Sequence, residues 1–224
     1  MWKRTRLLAI SVALQASLPA ACVAQSLHLA PAGTVVSGSF ELAGKAIPLP
    51  AGEFVLAATR IEDARVVSVF LAQLDGERLK AAVWASTVLE RPAARENVLF
   101  RLNRAHYDCL VVERRVRSFD PASTGIMKDA SAWLAYHDVV VPVPVLLVAE
   151  ITRIERSDLV SAAYAFNPWS YGCDRPSAPF VESIAGWGKR VQRHFDDLMT
   201  GRRSDLASYA SGIHQCASAL ASTP

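Results

Sequence analysis

The sequence predicts an α+β fold: a single domain built on a mostly antiparallel β-sheet, with C-terminal amphipathic helices packed on it. Three observations predict this. Up to residue 166 the chain carries short apolar runs bounded by Gly, Pro, Asn and Asp. From Phe180 onward the apolar residues recur at three- and four-residue steps instead. Strands precede helices with little βαβ alternation, which favours antiparallel pairing. With 224 residues, 51% hydrophobic and 20% charged, the chain has ample apolar material for a core. The same figures exclude a disordered tail, a collagen-like repeat and a disulfide-dense miniprotein.

Residues 1–24 read as an address. Met1 to Arg6 form a basic start, residues 7–14 are almost unbroken apolar, and residues 19–24 bring a proline and small side chains. This is the three-part pattern of a secretory signal peptide. Cleavage after Ala24 places Cys22 at −3 and starts the mature protein at Gln25, so residues 25–224 are the exported domain. A lipoprotein signal through Cys22 is the minor alternative; it wants a large aliphatic residue where Pro19 stands. An uncleaved anchor needs about 20 apolar residues, and Gln15, Ser17 and Pro19 interrupt this stretch. The longest later apolar run, residues 139–149, is short and carries Pro142 and Pro144, so no transmembrane span follows the signal.

In the exported domain, residues 35–42 have strand character, and Gly44-Lys45 leads to a second run at 46–49. Pro48 and Pro50 predict that this run ends early or lies on an edge. Residues 54–60 form another strand candidate. Residues 65–74 and 78–89 flank Asp75-Gly76, the sequence of a type I′ hairpin turn. Residues 98–102 and 107–116 follow as strands, and residues 120–125 as a loop. Residues 128–137 predict a short helix, with Met127, Ala130, Leu134 and His137 at helical spacing. Residues 143–154 and 159–166 predict two strands joined at Arg156-Ser157-Asp158, and Asn167-Pro168 ends the second. Phe180, Ile184, Trp187, Val191, Phe195 and Leu198 form the stripe of an amphipathic helix that stops at Gly201. Ser204 then caps a last helix, with Leu206, Tyr209, Ile213, Cys216 and Leu220 on its apolar side.

Export changes the charge reading. The leader holds Lys3, Arg4 and Arg6 and no acidic residue, so the mature chain has 21 basic and 21 acidic groups. The whole-chain charge of +3 therefore belongs to the leader, and nucleic acid is not an expected partner. Of four cysteines, Cys109, Cys173 and Cys216 survive cleavage. An oxidising compartment favours one disulfide, assigned to Cys173 and Cys216, with Cys109 left as a small buried hydrophobe in a strand.

Residues 37–57, SGSFELAGKAIPLPAGEFVLA, resemble the opening of a group of exported proteobacterial proteins of unestablished function. Tyr107-Asp108-Cys109, Tyr164-x-Phe166-Asn167-Pro168 and the Trp187 helix ending near Gly201-Arg202 are similar as well. The resemblance implies export and a single domain, and it assigns no activity and no functional residue.

The strong catalytic motifs are absent from the sequence: no Gly-x-Ser-x-Gly, no Ser-x-x-Lys, no His-Glu-x-x-His, no paired Cys-x-x-Cys and no phosphate-cradling glycine loop. The best catalytic candidates are Cys109 with His137 or His106, since a thiolate needs a neighbouring base. His106-x-x-Cys109 and His214-x-Cys216 offer two metal ligands each where a structural zinc takes four, so no metal or other cofactor is expected. Two basic clusters stand out, Arg101, Arg104, Arg114, Arg115 and Arg117 on a hairpin, and Lys189, Arg190, Arg193, Arg202 and Arg203 in the tail. Either suits an anionic envelope surface, and each also reads as a solvated edge or helix face. Glu150 interrupts an apolar run and reads as a buried acid or as the partner of an arginine in the sheet. Trp169 and Tyr171, in an Asn-Pro-Trp-Ser-Tyr-Gly loop, are the ligand-contact candidates. The expected function is a periplasmic or secreted non-catalytic module that binds an envelope protein or envelope component. The alternative is an exported hydrolase or thiol enzyme around Cys109 and His137.

Overall fold

The structure is a computed structural model that describes residues 29–62, 65–89, 111–115 (backbone), 124–141, 146–155, 158–202, 209, 211–214 and 216. Seven strands form one sheet: β1 (Val35–Leu42), β2 (Lys45–Glu62), β3 (Val66–Asp75), β4 (Arg78–Val88), β5 (Val111–Arg115), β6 (Leu146–Glu155) and β7 (Asp158–Phe166). Their order is β1-β2-β3-β4-β7-β6-β5, and every neighbouring pair is antiparallel. Helix α1 (Gly125–Tyr136) lies between β5 and β6 in the chain, and α2 (Ala178–Met199) follows β7. This is the α+β architecture that the sequence predicts.

Each face of the sheet is covered by one helix, which explains why the central strands are apolar on both sides. Along β3, Val67, Val69 and Leu71 join the core under α2, while Phe70 and Ala72 join the core under α1. The alternation holds in β6, where Leu147, Ala149 and Ile151 face α2 and Val148 faces α1. A bulge between Leu56 and Ala58 resets it in β2, moving Ala57 and Ala58 together to the α1 side.

Strand β2 is long because it does two jobs. Residues 45–48 and 53–55 pair with β1, and pairing with β3 starts only at Val55. Pro48 therefore meets no β3 partner that would need its missing N–H, which reconciles a proline with an 18-residue strand. Between these halves the register with β1 shifts at Ser37/Ser39, and Gly52 takes φ +109°. A Cβ on Gly52 would collide with the Gln73 side chain, whose Nε2 donates to Ala51 O at 2.9 Å. The bend folds the β1–β2 tip across the α2 side, where Ile47 and Leu49 are fully buried.

Two turns differ from the predicted chemistry. In the β3–β4 hairpin Asp75 pairs with Arg78, so the central residues are Gly76 and Glu77, one residue later than predicted. Only Gly76 has positive φ, at 59°, the sign pattern of a type II′ turn. The type I′ signs occur instead in the β1–β2 turn, where Ala43 and Gly44 have φ 48° and 75°.

Helix α1 buries Ile126, Ala130 and Leu134, against β2 and β3. His137, predicted on the apolar stripe, is its exposed C-cap, because the stripe follows Ile126 at four-residue steps and leaves His137 beyond the last turn. Helix α2 opens with Ser177 Oγ accepting from Phe180 N and buries the predicted stripe, with Leu198 half-buried. It ends in a Schellman motif: Arg202 N donates to Asp197 O and Gly201 N to Leu198 O. The predicted last helix does not form over its described residues. Tyr209 lies in a 3-10 turn, and residues 211–214 and 216 are non-helical. Gly212 takes φ +103° against the Arg190 guanidinium, and Cys216 is tied back to Cys173, neither compatible with a continuing α-helix. The predicted strand at 98–102 and the leader at 1–24 lie outside the described residues.

Candidate functional site

The turn after β7 is the first part of the site. Asn167 is buried and makes three contacts. Its Nδ2 donates to Leu79 O at 3.1 Å and to Ser170 Oγ at 2.9 Å, and its Oδ1 accepts from Trp169 N at 3.2 Å. These bonds hold a 3-10 turn, Pro168–Tyr171, against the start of β4. The turn separates its two aromatic residues. Trp169 is 54% exposed on the surface, whereas Tyr171 is buried and edges against Phe166 and Phe180.

The C-terminal segment is the second part. Cys173 and Cys216 form a disulfide with Cα atoms 5.2 Å apart. Cys216 N donates to Tyr171 O at 2.8 Å, so backbone and sulfur hold the same point. Upstream, Trp187 Nε1 donates to Tyr209 O at 2.9 Å, Tyr209 OH to Arg190 O at 3.3 Å, and Arg190 Nη2 to Ser211 O at 2.7 Å. The described residues 209, 211–214 and 216 thus form a strap fixed along α2.

Between strap, turn and sheet lies a cavity of about 140 Å³. Pro50 and Ala51 of the β2 bend form one wall, Tyr171 and Trp187 the floor, and Tyr209, Ser211, Gly212 and Ile213 of the strap the other wall. Lys80 of β4 supplies the one charged side chain among the lining residues. Its Nζ lies 5.3 Å from the centre of the Tyr171 ring, a cation–π contact, and it has no carboxylate partner among the described residues. Behind the floor, Tyr164 packs edge-on to Trp187 at 4.6 Å, and its buried hydroxyl has no hydrogen-bond partner among the described residues. Burial raises the pKa of both Tyr164 and Tyr171, so both stay neutral phenols at physiological pH.

A second, shallower cleft of about 220 Å³ lies at the other end of α2, between the β1–β2 turn and Leu198. Its lysine is already satisfied. Lys45 Nζ sits 2.7 Å from Asp158 Oδ1 and donates to Thr87 Oγ1 at 2.7 Å. The two clefts therefore differ in kind: one holds a neutralised ion pair, the other a lysine whose described contact is an aromatic ring.

Of the predicted catalytic residues only His137 is described, and it does not line this cavity. His106 and Cys109 lie outside the described residues. His137 is exposed on the α1 side of the sheet, its ring tilted against Trp133 at 4.2 Å and edge-on to Tyr136 at 5.1 Å, while the cavity lies on the α2 side. Cys216 is engaged in the disulfide, and His214 is exposed. Among the described residues no three His, Cys, Asp or Glu side chains gather as metal ligands. Glu150 is half-buried and alternates onto the α1 side beside Val148. In the tail cluster, Arg202 pairs with Asp197 at 3.0 Å, while Lys189 and Arg193 point outward from α2. Arg114 and Arg115 lie on β5, the edge strand. Arg153 of β6 pairs with Asp196 of α2 and pins the helix to the sheet.

Sequence reasoning missed Lys80 and His194. Lys80 is one polar position in an alternating strand and carries no motif. His194 was legible in principle, three residues after Val191 on the α2 stripe. It is buried, with Nε2 2.9 Å from Ala46 O.

Fold and site together define an antiparallel sheet with a helix on each face and a cavity closed by a disulfide-tethered strap. No protein-family model, curated protein or solved structure matches the chain.

Proposed function

We propose that the chain is an exported, non-catalytic binding module, periplasmic or secreted, whose ligand site is the cavity under the strap. The observation that carries this reading is the Cys173–Cys216 disulfide, which fixes one wall of the cavity and persists best in an oxidising compartment. The leader pattern in residues 1–24 supports the same destination. The lining supports binding over catalysis: aromatic faces, backbone carbonyls and one ammonium, with no carboxylate, imidazole or thiol among them. No helix among the described residues is long and apolar enough to cross a membrane. Cell fractionation and intact mass of the full-length gene product test the proposal. A chain in the exported fraction that starts at Gln25 with a closed Cys173–Cys216 bond is the expected result. A diacylglycerol-modified Cys22 would replace the free module by a lipoprotein, and a cytoplasmic chain retaining residues 1–24 would overturn export.

A further inference from the structure

We infer that the cavity under the strap takes a small aromatic carboxylate, with Lys80 as the residue that grips its anionic end. This deepens the binding reading above and rests on it. Size sets the first limit. A cavity of about 140 Å³ is close to an engineered apolar cavity of about 150 Å³ that accepts benzene. One ring with one small substituent fits, and a nucleotide or a peptide does not.

Wall chemistry sets the second limit. Pro50, Tyr171, Trp187 and Ile213 supply apolar and π surfaces, which suit the face or edge of a ring. The polar end is basic. Lys80 is a lining residue with no described carboxylate nearby, and Arg190 flanks the strap wall through Ser211 O, its guanidinium packed on Gly212. One lining cation, a second held against the strap, and no acid among the lining residues favour a ligand that carries negative charge. The contrast with the second cleft makes the point, since Lys45 there already has Asp158.

The glycine in the strap is part of the fit. Gly212 has φ +103°, which favours glycine, and a Cβ there would push the Arg190 guanidinium away from the strap.

Isothermal titration calorimetry and the indole N–H resonance of Trp187 test the assignment on the purified, oxidised exported domain. Benzoate is the probe, with benzamide as its neutral isostere and inorganic phosphate as an anion without a ring. Benzoate should bind at least tenfold more tightly than either and should shift the Trp187 indole signal. Lys80→Gln should remove most of the preference for benzoate over benzamide while leaving the thermal midpoint of unfolding unchanged. Equal binding of benzoate to wild type and Lys80→Gln overturns the role of Lys80. Phosphate matching benzoate overturns the aromatic assignment. No benzoate binding at millimolar concentration overturns the ligand class. None of these outcomes touches the export result, which is read from the mature N-terminus.

Discussion

At the scale of single residues, buried polar groups mark where a change costs most. Asn167 joins β4 to the turn under the cavity through two donated bonds and one accepted bond. Asn167→Ala leaves Leu79 O and Trp169 N without this partner, and should lower the unfolding free energy by about 2–3 kcal/mol in urea titrations. Asn167→Asp keeps the acceptor for Trp169 N but turns a carboxylate oxygen toward Leu79 O, so it should be no better than alanine. His194 makes a pH prediction. Burial lowers its pKa below the ordinary 6.5, outweighing the opposing effects of Ala46 O and the Asp197 carboxylate. The Tyr209 ring also faces it, at 5.4 Å. Because the folded pKa lies below the unfolded one, the unfolded chain takes up the proton first as pH falls. His194 therefore contributes its full stability above about pH 6.5 and loses it progressively as pH drops below that value. Denaturant midpoints at pH 7.5 and pH 5 should differ in that direction. His194→Gln, which keeps a donor for Ala46 O, should flatten the difference; an unchanged slope in that variant would assign the effect to other groups.

At the scale of elements, local signals were legible where the residue type alone decides the backbone. The apolar runs of β3 and β4, the amphipathic stripe of α2 and its Gly201 stop all follow from side-chain pattern and glycine chemistry. Turn register was less legible, because Asp75-Gly76 and Gly76-Glu77 both place a glycine where positive φ is needed, and only strand pairing chooses between them. The predicted helix after Ser204 does not form over its described residues, for a tertiary reason. Its apolar spacing is satisfied by Tyr209 and Ile213 lying on α2, while the disulfide and Gly212 redirect the backbone. The β1–β2 turn yields a prediction of its own. Ala43 sits at φ 48° in a type I′ position, where an L residue other than Asn, Asp or Gly is strained by about 1 kcal/mol. Ala43→Asn should stabilise the protein by roughly 0.5 kcal/mol, and Ala43→Val should destabilise it by at least about 1 kcal/mol. Equal effects of both substitutions would show that contacts with neighbouring side chains, and not backbone strain, govern the site.

At the scale of the whole molecule, the cavity is assembled from positions 50–51, 80, 171, 187 and 209 with 211–213, five stretches far apart in the chain. No local pattern announces such a site; only Tyr171 stood out, through its loop. What brings the stretches together is the sheet order, which sets β4 beside β7, and the bond that returns Cys216 to Cys173 just after β7. That bond spans 43 residues and encloses α2. A loop of that length removes enough unfolded-state freedom to stabilise the fold by about 4 kcal/mol in the chain-entropy account. Cys173 lies in the same core as Phe180, Trp187 and Tyr209, so opening the bond also releases the strap from the cavity wall. Reduction with a phosphine, or the double variant Cys173→Ala/Cys216→Ala, should therefore lower the unfolding free energy by several kcal/mol. Helix α2 should persist in far-ultraviolet circular dichroism, because Ser177, Arg153 and the sheet hold it independently of the bond. Amide exchange should quicken in residues 209–216 before it quickens in β3 and β4. A reduced protein with an unchanged midpoint and unchanged exchange in the strap would show that the hydrogen bonds from Trp187 and Arg190 alone hold the wall.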